Sequence, residues 1–157
     1  MVLDVELEPG ASAGRSRCVF CAILRGEAPA EIVLDEPAGV AFLDRRPLMS
    51  GHVLLVPRSH VATLADLPVA DVGPVFTLAQ RLTRAVPQAT GSDGSFMAIN
   101  NVVSQSVPHL HIHVVPRRQD DRLFSRNLAW TRHPYRDADH MHQVAAAIRA
   151  ALGDEPL

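Results

Sequence analysis

The chain has 157 residues, 47% of them apolar and 20% charged, with a formal net charge of −2 at pH 7. That is the balance of one soluble globular domain, long enough to bury a core, and it offers no electrostatic argument for binding nucleic acid or a membrane surface. No apolar run approaches the roughly 20 residues of a membrane-spanning helix, so a cytoplasmic protein is expected, with neither nucleic acid nor membrane as a partner.

Residues 1–16 are acidic and then rich in Gly, Ser and Ala. They lack the basic start and apolar stretch of a signal peptide and read as a flexible tail. Cys18 and Cys21 follow, the only two cysteines in the chain. Three readings are open for them: half of a zinc site, a redox dithiol, or two incidental buried thiols. Zinc in a closed structural site takes four ligands, so histidine or carboxylate would have to supply the rest. Residues 20–25 predict a short helix stopped by Gly26 and Pro29; Phe20 and Ile23 on it are core by default. Residues 31–35 and 40–44 read as strands of a hairpin around a turn at 36–39. Phe42 lies in the second of these, and Asp44 ends it as a turn or cap carboxylate. The near-continuous apolar run 51–57 predicts a buried central strand, with His52 structural and Arg58-Ser59-His60 closing it.

Val72, Val75, Phe76, Ala79, Leu82 and Val86 recur at helical spacing. Pro74 is tolerated in a first turn only, which places the helix start near Asp71 as N-cap and its end before Pro87. Residues 90–95 form a turn and 96–100 a strand. A loop at 101–104 leads into Gln105-Ser106-Val107-Pro108-His109-Leu110-His111-Ile112-His113-Val114-Val115-Pro116. Residues 117–122 are polar and loop-like. Trp130, His133 and Tyr135 lie in a long segment that packs over the surface or a dimer mate, or acts as a lid. The last helix spans 137–152, with Asp137 as N-cap and Met141, Ala145, Ile148 and Leu152 on its buried stripe; His140 and His142 fall off the stripe and are expected in solvent. The order of elements predicts an α+β fold, an antiparallel sheet of about five strands with helices to one side.

The three alternating histidines stand out. In a strand, residues i, i+2 and i+4 share a face at a rise of about 3.3 Å per residue, so His109, His111 and His113 would line one side while Leu110, Ile112 and Val114 enter the core. Such a row is a solvated face, a set of metal ligands, or a site for chemistry on phosphate, because imidazole titrates near neutral pH and can act as nucleophile or acid/base.

The run from Gln105 to Val115 resembles the signature of the histidine triad (HIT) family, and Cys18-Val-Phe-Cys21-Ala-Ile-Leu-Arg-Gly-Glu-Ala-Pro-Ala resembles the start of its zinc-bearing prokaryotic branch. The resemblance gives residues 17–118 as the HIT domain and 119–157 as a C-terminal extension. It implies a homodimer and a structural zinc held by Cys18, Cys21, His60 and His109. It implies a purine nucleotide as partner: Phe20, Ile23 and Phe42 against the base, Asp44 on the ribose hydroxyls and Asn100, rather than Asn101, on the phosphate. The implied activity is a nucleoside phosphoramidase or nucleotidyl hydrolase. It cleaves adenosine phosphoramidate, an acyl-adenylate or a dinucleoside polyphosphate at the α-phosphate through a nucleotidyl-histidine intermediate. His111 would be the nucleophile, His113 would hold the non-bridging oxygens, Ser106 would bond the leaving group and Gln105 would orient it. The chain departs from the family in the loop 101–104, which is two residues shorter and lacks two glycines, so its backbone is expected to be less free to adopt positive φ. Two rival classes stand beside this reading: a metal-dependent hydrolase with all three histidines on one catalytic metal, and a non-catalytic nucleotide-binding or sensing protein.

Overall fold

The computed structural model describes residues 17–124 and 132–153. The expectations for the tail at 1–16 and for Trp130 lie outside them. Strands β1 (Ile32–Glu36) and β2 (Gly39–Leu43) form the hairpin, with Glu36 opposite Gly39. Strands β3 (Val53–Pro57), β4 (Gly94–Ile99) and β5 (Ile112–Arg117) complete a five-stranded sheet in the order β1-β2-β3-β5-β4, every pairing antiparallel.

Every residue of β2 and β3 is buried, which requires cover on both faces. On one face, helices α2 (Val69–Thr90) and α3 (Ala138–Leu152) bury their apolar stripes against Ala41, Leu43, Val53, Leu55, Ile112 and Val114. On the other, the alternate residues Val40, Phe42, Leu54 and Val56 pack against Cys18, Phe20 and Cys21 at the short helix α1 (Val19–Leu24). The helices are therefore not all to one side: the second face of the central strands is apolar too, and α1 caps it. Among the described residues no helix is long and apolar enough to cross a membrane.

Helix α2 is longer at both ends than its prolines suggest, with Pro74 and Pro87 both inside it. Pro87 removes the amide that would bond the Thr83 carbonyl four residues back. Ser95 Oγ at β4 donates to that carbonyl instead, at 3.5 Å, and the helix runs on until Gly91, in the left-handed region at φ +60°, ends it. Asp71 is not the N-cap but sits in the first turn, where its charge still favours the helix dipole. In α3, Asp137 does cap the helix, accepting from the His140 amide at 2.7 Å. His140 is half-buried rather than solvated: its ring packs on Tyr135 and accepts the Arg136 amide.

Regular pairing of β5 begins only at Ile112, so His109 and His111 precede the strand. The Leu110 amide still reaches the Val61 carbonyl at 2.7 Å, which keeps the chain extended. Leu110, Ile112 and Val114 therefore face the helices, and the histidines face the side that α1 covers.

Candidate functional site

Cys18 immediately precedes α1 and Cys21 lies on it, His60 follows β3 and His109 precedes β5. The fold brings their ligand atoms to within 4.8 Å of one another. His109 Nδ1 is 3.5 Å from Cys18 Sγ and 3.6 Å from Cys21 Sγ, and His60 Nδ1 is 3.2 Å from Cys21 Sγ. Zinc in a tetrahedral site has Zn–S of about 2.3 Å and Zn–N of about 2.0 Å, hence sulfur–nitrogen edges of about 3.5 Å. His109 is fully buried, and its Nε2 donates to the Pro57 carbonyl at 3.0 Å. That bond fixes the hydrogen on Nε2 and turns the Nδ1 lone pair to the thiols. Burial, opposed by that carbonyl, moves its pKa down, which keeps the ring neutral as a ligand must be. Two thiols and two imidazoles in a buried, closed set fit a structural zinc site.

His111 turns the other way round. Its Nδ1 is 2.7 Å from the His109 carbonyl; a carbonyl only accepts, so Nδ1 carries the hydrogen and Nε2 the lone pair. The three histidines do not converge on one metal, because both ring nitrogens of His109 and Nδ1 of His111 face other partners.

His113 is set by His52, expected from the sequence to be structural. His52 is 1% exposed. The Leu48 amide points at its Nδ1 at 3.3 Å, and a backbone amide only donates. Nε2 of His52 therefore carries the hydrogen and donates to His113 Nδ1 at 3.0 Å. That places the remaining hydrogen of His113 on Nε2, which is buried and has no partner among the described residues. Asp44 Oδ2 lies 3.4 Å from His52 Nδ1 and its Oδ1 accepts the Arg46 amide at 2.8 Å. Burial moves the pKa of His52 down to about 4, opposed by Asp44 and aided by His113. His113 is likewise pushed down to about 4 by burial and by His111. Both rings are neutral at pH 7. The only sequence signal for His52 was its place at the start of a buried run, which does not separate a packed imidazole from one that orients another.

The loop before the histidines adopts the conformation its composition argues against. Val102 has φ +69° and Ser104 φ +61°, and the Val103 amide bonds the Asn101 carbonyl at 2.8 Å, a strained γ-turn around a β-branched residue. Each such residue costs on the order of 1–3 kcal/mol and persists where its surroundings over-determine it. Here Gln105 Oε1 accepts the Val102 amide at 3.2 Å and its Nε2 donates to the Ala62 carbonyl at 2.6 Å. Asn101 Oδ1 accepts the Leu64 amide at 2.9 Å. Gln105 is thus spent on the loop and does not itself line the cavity beside the histidines.

That cavity, of about 550 Å³, is lined by Phe20, Asp44, Asn100, Ser106, His111 and His113 among others. Of the other expected substrate contacts, Phe42 stands behind Phe20, ring centroids 5.5 Å apart, and Ile23 packs into the apolar cluster under α1. The arrangement offers an apolar wall, an imidazole lone pair, an imidazole N–H and a hydroxyl around one space.

The HIT domain family model matches residues 25–120. An adenylylsulfatase of Arabidopsis thaliana is 32% identical over 88% of this chain and 71% of its own. An adenosine 5′-monophosphoramidase of Saccharomyces cerevisiae is 32% identical over 66% of this chain and 64% of its own. The crystal structure of a zinc-bound histidine triad family protein from Mycobacterium smegmatis superposes with a TM-score of 0.74 at 37% identity, covering 88% of this chain and 94% of that one.

Proposed function

Because the chain belongs to the HIT domain family, we propose that it is a nucleotide hydrolase that cleaves at the α-phosphate of a purine nucleotide through a nucleotidyl-histidine intermediate. The observation that carries the proposal is the bond from His111 Nδ1 to the His109 carbonyl, which commits Nδ1 as the donor and leaves Nε2 as the ring nitrogen free to act in a nucleotide-sized cavity. Similarity to an adenylylsulfatase and to an adenosine monophosphoramidase supports the reaction class.

In this reading Phe20 walls the base and Asp44 takes the ribose hydroxyls. The His111 lone pair attacks phosphorus in line, and the unpartnered Nε2–H of His113 donates to a non-bridging oxygen, where charge collects in the transition state. Ser106 donates to the leaving atom, Asn100 faces the phosphate, and Gln105 acts through the loop that it clamps. Water then cleaves the phosphorus–nitrogen bond and regenerates His111. Zinc, when bound, supplies no chemistry to this cycle; Cys18, Cys21, His60 and His109 use it to fix α1 against the sheet. We also propose a homodimer, in which β4, an edge strand with Met97 exposed, is joined by its copy.

Intact-mass spectrometry of the protein mixed with adenosine phosphoramidate, an acyl-adenylate and dinucleoside polyphosphates tests the proposal. Release of AMP and a transient mass gain of one AMP per chain are expected. Binding without cleavage of any of them would instead favour the sensing class.

A further inference from the structure

With the ribose on Asp44, the nucleoside end of the cavity carries more positive charge than a nucleoside can use. Asp44 Oδ1 accepts the Arg46 amide at 2.8 Å, and the Arg132 guanidinium donates to the carbonyl of the same Arg46. Asp44, Arg46 and Arg132 all line the cavity. The charges of Asp44 and Arg132 oppose each other on the same two rings, His52 and His113. Arg132 lies outside the stretch 25–120 that matches the family model. Its segment is held by further main-chain bonds: the next amide, of His133, donates to the Pro47 carbonyl at 3.2 Å, and the Tyr135 hydroxyl accepts the Gly51 amide at 3.4 Å. Among the described residues no carboxylate pairs with Arg46 or Arg132.

We propose that Arg46 and Arg132 bind a phosphate carried on the ribose itself, at its 2′ or 3′ oxygen, and so select ribose-phosphorylated nucleotides over plain ones. The proposal rests on the nucleotide reading above and adds to it a second phosphate, remote from the reacting one. Asp44 Oδ2 stands 3.4 Å from His52 Nδ1, which carries no hydrogen because it accepts the Leu48 amide. That oxygen therefore keeps capacity to accept from one ribose hydroxyl. A plain diol is neutral and uses the carboxylate alone, which leaves both guanidiniums without a counter-charge. A phosphomonoester on the neighbouring ribose oxygen supplies it. One carboxylate repels that phosphate, two guanidiniums attract it, and His52 and His113 are neutral, so the balance favours the anion. Arg132 bonds the Arg46 carbonyl through Nη1. Its Nε–Nη2 edge remains for a bidentate contact, the geometry in which a planar guanidinium suits phosphate.

Calorimetric titration of the full chain with AMP, adenosine 2′,5′-bisphosphate and adenosine 3′,5′-bisphosphate tests this, because the three share base, ribose and 5′-phosphate. One bisphosphate should bind about ten-fold more tightly than AMP, the scale of one charge-assisted hydrogen bond, and its identity tells which ribose oxygen faces the arginines. Arg132→Gln should remove most of that margin and Arg132→Lys should keep part of it. Arg46→Gln, which leaves the main-chain bonds of residue 46 in place, should reduce it as well. Bisphosphates that bind no more tightly than AMP would overturn the proposal, as would a margin that survives in either Gln variant. Equal losses for AMP and the bisphosphate would also overturn it, by moving Arg132 to the shared 5′-phosphate. Failure of the nucleotide reading looks different: none of the three binds, AMP included, and that result overturns both.

Discussion

His52 Nε2 lies 3.0 Å from His113 Nδ1, across 61 residues of sequence. His52 opens the run that becomes β3 and His113 lies on β5, so the contact is made by the pairing of the two central strands. The bond sets which nitrogen of His113 carries its hydrogen, and the Leu48 amide sets that of His52. Replacing His52 by Phe keeps the bulk and removes the donor. We expect turnover to fall about 10–100-fold, the usual cost of losing a partner that orients a working imidazole, with KM changed much less. A KM effect that exceeds the kcat effect would show that His52 serves binding instead.

The same two histidines give a pH signature. Their folded pKa values of about 4 lie below the roughly 6.5 of an unfolded histidine. Between pH 6.5 and 4 the unfolded chain binds protons that the folded chain refuses, so stability falls as pH falls through that window and is level above it. Asp44, His111 and Arg132 face these rings and enter the balance. Urea midpoints at pH 8, 6 and 5 should decline in order, and His52→Phe should flatten the decline. A midpoint that rises toward pH 5 would reverse the assignment of both rings as neutral.

His111→Asn should keep nucleotide binding within a few fold while turnover drops by several orders of magnitude, because covalent catalysis goes and the cavity stays. Radiolabelled substrate, quenched under conditions that preserve a phosphorus–nitrogen bond, should label the wild-type protein and leave the variant unlabelled. A labelled variant would move the nucleophile to His113.

Protein purified without chelator should carry about one zinc per chain. Elemental analysis measures this directly. Cys21→Ser should lower Tm by several degrees and shed the metal, since a closed site loses one of four ligands. Full zinc occupancy in that variant would remove Cys21 from the ligand set.

Much of the sheet was readable because its strands differ in pattern. The alternation at 109–114 gave the inward face of Leu110, Ile112 and Val114, and the near-continuous apolar run at 51–57 gave a buried central strand, found at Val53–Pro57. That run also sets the helices on both sides of the sheet: a strand apolar on both faces demands two covers, and α1 is one of them. The extent of α2 was hidden because the repair of its proline gap comes from Ser95, a tertiary contact with no local sign. The thiol–imidazole cluster was legible from family spacing: Cys18 and Cys21 stand one helical turn apart at α1, and His60 and His109 flank the central strands. The tautomers were not, because they are set by the carbonyls of Pro57 and His109 and the amide of Leu48, and backbone atoms leave no mark in the sequence. Loop 101–104 shows the limit of composition. Without glycine it still takes positive φ at Val102 and Ser104, held by the Gln105 carboxamide.

The segment that carries Arg132 docks onto main-chain atoms of the turn before β3: the Arg46 and Pro47 carbonyls and the Gly51 amide. Main-chain docking is indifferent to which side chains the turn displays. Substitution at positions 45 and 46 therefore leaves these main-chain partners in place, while the imidazoles and thiols remain on the sheet and α1. The seat of residues 132–135 is thus a property of the backbone path between β2 and β3 rather than of the side chains along it.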